Sequence, residues 1–168
     1  MPKPSIAKIE VDEAPKVDAK TERRNREFNF AVRSVLVARR YRALLDDRLR
    51  PLGHGTARME ALSAISTLPK LSPQTAIAKR IGIEGPTLTR MLDTLESEGL
   101  VLRLADPSDR RTKLIQLTPA GRKALAEITT VADAFRHQVL AEMADDELDA
   151  VSENLGKLLM RLTDHSFD

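Results

Sequence analysis

Three charged residues in a row, Asp109-Arg110-Arg111, lie between two short stretches of strand character, Leu100–Leu104 and Lys113–Leu117. Arginines at the tip of a hairpin cannot be there to fill a core. Their charge is permanent, and a turn holds them in solvent, where a phosphate backbone or a narrow minor groove can meet them. A second group stands upstream: Pro86, Thr87, Thr89 and Arg90 open a helix directly after a tight turn. A guanidinium there can fork onto the edge of a guanine, and a threonine can hydrogen-bond a base or offer its methyl to thymine. Each also has a plainer reading, Arg90 as a solvated charge paired with Asp93 or Glu96 and Thr87 as an ordinary helix-start residue. The chemistry on offer is recognition rather than turnover. No nucleophile stands with a base, and no glycine loop is shaped to cradle phosphates. His54, His137 and His165 have no Asp, Glu or Cys at a metal-binding spacing, so neither an enzyme, nor a metal site, nor a cofactor is expected.

The elements that must hold these residues can be read from periodicity. Leu71-Ser72-Pro73-Gln74 reads as a helix start with Ser72 as N-cap, and that helix runs to about Ile81. Gly82 supplies the sharp turn, and Glu84-Gly85-Pro86 opens the second helix, which closes at Gly99. Ala78 is small where two helices must approach, while Ile83, Leu88 and Met91 face the first helix: the spacing of a helix-turn-helix. The two strands with the loop 106–111 follow as a hairpin. Around this unit stand a helix from about Arg23 to Leu49, stopped by Pro51 and Gly53, and one from about Thr56 to Thr67 with Met59, Leu62 and Ile65 inward. Thr118-Pro119 starts a long helix to about Met143, and a last helix runs from about Asp145 to Leu162. The expected fold is mostly α with a small β-hairpin wing: a winged helix-turn-helix domain plus a helical dimerisation region. Its divisions are a flexible arm 1–22, a dimerisation helix 23–55, the winged domain 56–121 and C-terminal dimerisation helices 122–168.

Composition narrows the setting. Aromatics make up 3% of the 168 residues and there is no Trp, so the core must be aliphatic. The absence of cysteine removes disulfides and thiol chemistry and suits a reducing cytoplasm. No apolar run approaches the roughly 20 residues that span a bilayer, and no signal segment is apparent, so a cytoplasmic protein with no membrane partner is expected. The net charge of +2 hides an asymmetry. Residues 103–126 carry 6 Lys/Arg against 2 Asp/Glu, whereas residues 127–168 carry 3 against 10. A basic middle and an acidic end fit a molecule with one surface on DNA and another turned away, although an acidic terminal helix also serves solubility alone. The apolar stripes of the terminal helices exceed what a small winged module can cover, and a second copy would bury them.

The stretches Gly82 to Arg90, Leu92 to Val101, Asp106 to Lys113 and Leu117-Thr118-Pro119-Ala120-Gly121 resemble the MarR family of bacterial transcriptional regulators, and most closely its SlyA-like subgroup. The likeness covers about Val35 to Ala126. It implies a homodimer of interleaved terminal helices, with one recognition helix and one wing per subunit on a pseudo-palindromic DNA site. It further implies that Arg111 enters the minor groove, that Asp109 braces a neighbouring arginine and that Arg110 supports the wing or a phosphate contact. Family members also bind small anionic aromatic molecules between the dimer helices and the winged domain. The two first-helix arginines of SlyA-like proteins match Arg39 and Arg42, which share a helical face and could clamp a carboxylate. They could equally make structural ion pairs across the dimer. Met59 stands where many relatives have Trp and Ser63 where SlyA-like relatives have His, so the aromatic platform is lost or moved. The expected function is a repressor released from its operator by a small aromatic acid. Two alternatives stay open: a ligand-independent activator or anti-silencer of the same fold, and a helical adaptor whose winged module binds protein.

Overall fold

A computed structural model describes residues 18–109 and 111–164 and divides the chain into two units, residues 1–41 and 42–168. Arg110, His165 and most of the expected N-terminal arm lie outside the described residues. Helix α1, Ala19–Leu49, carries the boundary between the units. In the first unit it begins four residues earlier than periodicity suggests, because Asp18 caps it, accepting the amide of Thr21 at 2.7 Å. Arg23 with Glu27 and Arg26 with Glu22 add one-turn ion pairs. Phe28, Phe30, Val35, Leu36 and Val37 are all exposed on this stretch.

The second unit holds the core. The end of α1 supplies Leu45 and Leu49, and a single 3-10 turn (Arg50–Leu52) closes on Gly53 at φ 73°. Helix α2, Thr56–Thr67, buries Ala61, Leu62, Ala64 and Ile65, with Met59 only half-buried. No side chain of its own caps it. Asp46 of α1 does so from outside, accepting the amide of Thr56 at 2.6 Å.

A short strand β1, Ser72–Pro73, precedes helix α3, Gln74–Ile81. Ser72 is therefore not an N-cap. Its hydroxyl donates to the Pro69 carbonyl at 2.7 Å, and its backbone pairs with Ile115. Helix α4, Gly85–Ser97, is followed by β2, Val101–Ala105, and β3, Lys113–Leu117. The three strands form an antiparallel sheet in the order β1-β3-β2, so the expected hairpin gains a third member. Val101 faces Leu117, and Leu104 faces Leu114.

Helix α5, Pro119–Leu140, starts under Thr118, whose hydroxyl accepts the Gly121 amide at 2.9 Å and donates to the Gly99 carbonyl at 2.7 Å. Gly121 packs so tightly on Leu100 that an added Cβ would meet the carbonyl oxygen at 1.9 Å. Ile128, Ala132 and Phe135 of α5 are buried. The helix stops at Leu140, short of the expected Met143, whose amide closes a turn onto Leu140 at 3.0 Å. Helix α6, Asp145–Thr163, opens with three acidic residues, where the helix dipole favours them, and buries none of its side chains.

Candidate nucleic-acid interface

The α3–α4 junction follows from Gly82, which sits at φ 67° and lets the Gly82 and Ile83 amides both return to the Ala78 carbonyl. A left-handed backbone is cheap only for glycine. Ile77 and Ala78 of α3 and Leu88, Leu92 and Leu95 of α4 are buried against the rest of the core. That leaves Pro86, Thr87 and Arg90 on the exposed side of α4. Thr89 differs from them. It is half-buried, and its hydroxyl donates to the Gly85 carbonyl at 3.0 Å and accepts from the side-chain amide of Gln74. Gln74, the first residue of α3, thereby ties the start of one helix to the first turn of the next.

The carboxylates that could have neutralised Arg90 are engaged elsewhere. Arg103, on β2, reaches Asp93 at 2.5 Å and Glu96 at 3.5 Å, and donates to the Thr89 carbonyl at 3.1 Å. Its side chain is largely buried, so this clamp fixes α4 to the wing more firmly than a surface pair would. Arg90 is exposed and in no ion pair among the described residues. Sequence reasoning missed Arg103, though strand alternation carried the signal. With Val101 and Ile115 it falls on the inward face, where a charge must find a partner.

The wing tip is built from two aspartate turns. Asp106 accepts the amide of Ser108 at 2.8 Å and its hydroxyl at 2.6 Å; the hydroxyl bond, and then the amide bond, hold this exposed carboxyl below the usual carboxylate range. Asp109 accepts the Arg111 amide at 2.9 Å and the Thr112 hydroxyl at 3.0 Å. Its carboxylate thus shapes the backbone that carries Arg111. The Asp106 amide bonds the Thr112 carbonyl at 3.1 Å and closes the loop. Arg111 is exposed. A cleft of about 390 Å³ lies where the wing meets the helix-turn-helix, lined by Gln74, Thr75, Gly85, Arg111, Thr112 and Lys113 among others. None of its lining residues among those described is acidic.

The expected ligand residues are not gathered in this way. Arg42 is bound through both terminal guanidinium nitrogens to the carboxylate of Glu60, at 2.5 and 3.2 Å. Met59 and Ser63 are half-buried one turn apart on α2. Ser63 lines a shallow pocket of about 300 Å³ with Glu60, Thr67 and Arg80, and Met59 does not. Arg39 belongs to the first unit and is exposed there. Among the described residues no cluster of three or more His, Cys, Asp or Glu could hold a metal ion, and no helix is long and apolar enough to cross a membrane.

The MarR family model matches residues 56–113, the stretch from the start of α2 to the first residue of β3. The crystal structure of the transcriptional regulator PA3341 is 38% identical, with a TM-score of 0.72 over 80% of this chain and 98% of its own. A MarR-family transcriptional regulator from Silicibacter pomeroyi is 31% identical, with a TM-score of 0.63 over 73% of this chain and 82% of its own. The chain belongs to the MarR family. A mutant MarR from E. coli complexed with operator DNA is similar at 26% identity and a TM-score of 0.73, covering 80% of this chain and 96% of its own. The mostly helical architecture with its small sheet is thus the winged helix of MarR-family structures, and the matched stretch contains α3, α4 and the wing tip.

Proposed function

We propose that this MarR-family protein is a homodimeric, sequence-specific regulator of transcription of the SlyA-like kind, a repressor that binds a pseudo-palindromic operator and is released by a small anionic aromatic ligand. The observation that carries DNA recognition is the exposed pair Arg90 and Arg111, one on the open side of α4 and one on a wing tip braced by Asp109. In this reading Pro86, Thr87 and Arg90 meet base edges in the major groove and Arg111 enters the adjacent minor groove, with Arg110 supporting the wing or a phosphate contact. Thr89 contributes by position, since its hydroxyl is already committed to Gln74 and Gly85. The E. coli MarR complex with operator DNA supports this use of the same fold.

Dimerisation is supported by apolar faces that the single chain leaves in solvent, Phe28 to Val37 on α1 and Val151 to Leu162 on α6. A dimer would set two recognition helices about one helical turn apart, so a ligand that rotates them slightly costs most of the avidity. Arg39, Arg42, Met59 and Ser63 are the proposed effector contacts. One observation favours a second reading, a ligand-independent activator or anti-silencer: Arg42 already has its charge answered by Glu60.

The test is fluorescence anisotropy of Arg90→Ala on DNA from upstream of the protein's own gene and on a scrambled duplex. Discrimination should fall by about 1–3 kcal/mol. Equal loss on both duplexes would make Arg90 a phosphate contact, and no effect on either would remove α4 from the interface.

A further inference from the structure

The outer face of the wing sheet is unusually apolar. Alternation sets Leu102, Leu104, Leu114 and Gln116 opposite the core-facing Val101, Ile115 and Leu117. A sheet with one face on the core ordinarily shows polar residues on the other. Here Leu102 and Leu104 are 44% and 41% exposed. At the edge of the sheet β1 pairs with Leu114 and Ile115 alone, which leaves the β3 edge open beyond them. Beside the uncovered end of β3 lies a cavity of about 380 Å³. Its apolar walls are aliphatic (Ile65, Leu68, Leu102 and Leu117), and no aromatic ring of the described residues lines it.

Among the described residues, two cations stand at this cavity and no carboxylate does. Arg122 is held in place by its own hydrogen bond to the Leu117 carbonyl at 2.9 Å. Lys70 comes from the connection between α2 and β1, and neither residue is in an ion pair among the described residues. The residue after Lys70 is Leu71, at φ 63°, a left-handed backbone that a branched side chain adopts only when its surroundings impose it. Strained backbone of this kind collects at ligand clamps and switch segments.

We infer that this cavity is a binding site for a small aliphatic carboxylate. The chain packs on Ile65, Leu68 and Leu102, and the carboxylate meets Arg122 and Lys70. The volume falls within the roughly 300–1,000 Å³ of small-molecule sites, and a mostly apolar lining with a few convergent charges is their usual make-up. Aliphatic walls without a ring select a flexible chain over a stacked aromatic. The site is separate from the proposed effector contacts at Arg39 and Arg42. It takes no DNA to observe, so its failure and that of the regulator reading are distinguishable.

The probe is octanoate, titrated calorimetrically into the full chain, with octanamide as its uncharged counterpart. Octanoate should bind saturably, and octanamide about tenfold or more weaker, the loss expected for a missing charge-assisted hydrogen bond. Arg122→Gln and Leu102→Ser should each weaken octanoate by a similar factor. Lys70→Gln, which removes no hydrogen bond of the fold, should weaken it less, and Arg42→Ala should leave it unchanged. Absence of saturable binding, equal binding of octanamide, or a loss that follows Arg42→Ala and spares both Arg122→Gln and Lys70→Gln would overturn the inference.

Discussion

Helices α5 and α6 are neighbours in sequence, of similar length, and both carry apolar residues at helical spacing, yet they end in opposite surroundings. On α5, Ile128, Ala132 and Phe135 are buried, and Phe135 lies under the guanidinium of Arg48 at 4.3 Å from the ring centre. On α6, Val151, Leu155, Leu158, Leu159 and Leu162 lie between 36% and 66% exposed. The sequence pattern is the same in kind, and what differs is the partner. The stripe of α5 is met by the chain's own core, whereas that of α6 stays exposed among the described residues. An apolar face of that extent on a helix that nonetheless forms is the signature of an interface, and in our account a second copy covers it. The lesson is that helical amphipathicity announces burial without saying by which molecule.

The largest effect should come from the covered helix. Phe135→Ala removes a buried ring and its contact with Arg48, and the chain should lose about 3–5 kcal/mol of stability in denaturant unfolding. The same kind of truncation on α6, Leu155→Ala, should cost much less in a dilute monomer. Charge placed on that face tests the interface instead. Leu155→Asp with Leu159→Asp should leave the helical content intact and halve the mass seen in sedimentation, and a variant that stays dimeric would move the interface elsewhere.

A third change acts at the root of α5. Gly121→Ala drives a methyl into the Leu100 carbonyl, so about 1–3 kcal/mol of destabilisation is expected, with the oligomeric state unchanged. The smallest effect lies at the wing tip and touches neither helix. The hydrogen bonds that Asp106 accepts favour its ionised carboxylate, so they hold the turn at neutral pH and weaken only as the pH falls through its depressed pKa. Ser108→Ala should raise the Asp106 titration seen by NMR toward the ordinary range, while melting stays as in the parent chain.

Much of this was legible in the sequence because it rests on local signals. Pro51 and Gly53 end α1, Gly82 makes the turn, and Thr118-Pro119 starts α5, each through backbone chemistry confined to a few residues. The α2 boundaries, Thr56 and Thr67, coincide with the periodic pattern as well. What could not be read locally depends on residues far apart in the chain. Ser72 and Pro73 have every mark of a helix cap, and only pairing with Leu114 and Ile115 makes them a strand. The cap of α2 comes from Asp46 on another helix. In the candidate interface the exposed Arg90 and Arg111 were legible from type and spacing. That Asp93 and Glu96 belong to Arg103, and that Arg42 belongs to Glu60, required the tertiary structure.

In our reading a dimer reads DNA through α4 and the wing together. The most direct test is anisotropy of the full chain and of Arg111→Ala on duplex DNA from upstream of its own gene, each measured across a salt series. We expect tight, salt-dependent binding by the parent, and for the variant a weaker isotherm whose log–log salt slope is smaller by about one unit for each lost contact. Absence of binding by the parent at this site, or a variant with unchanged affinity and slope, would contradict the account.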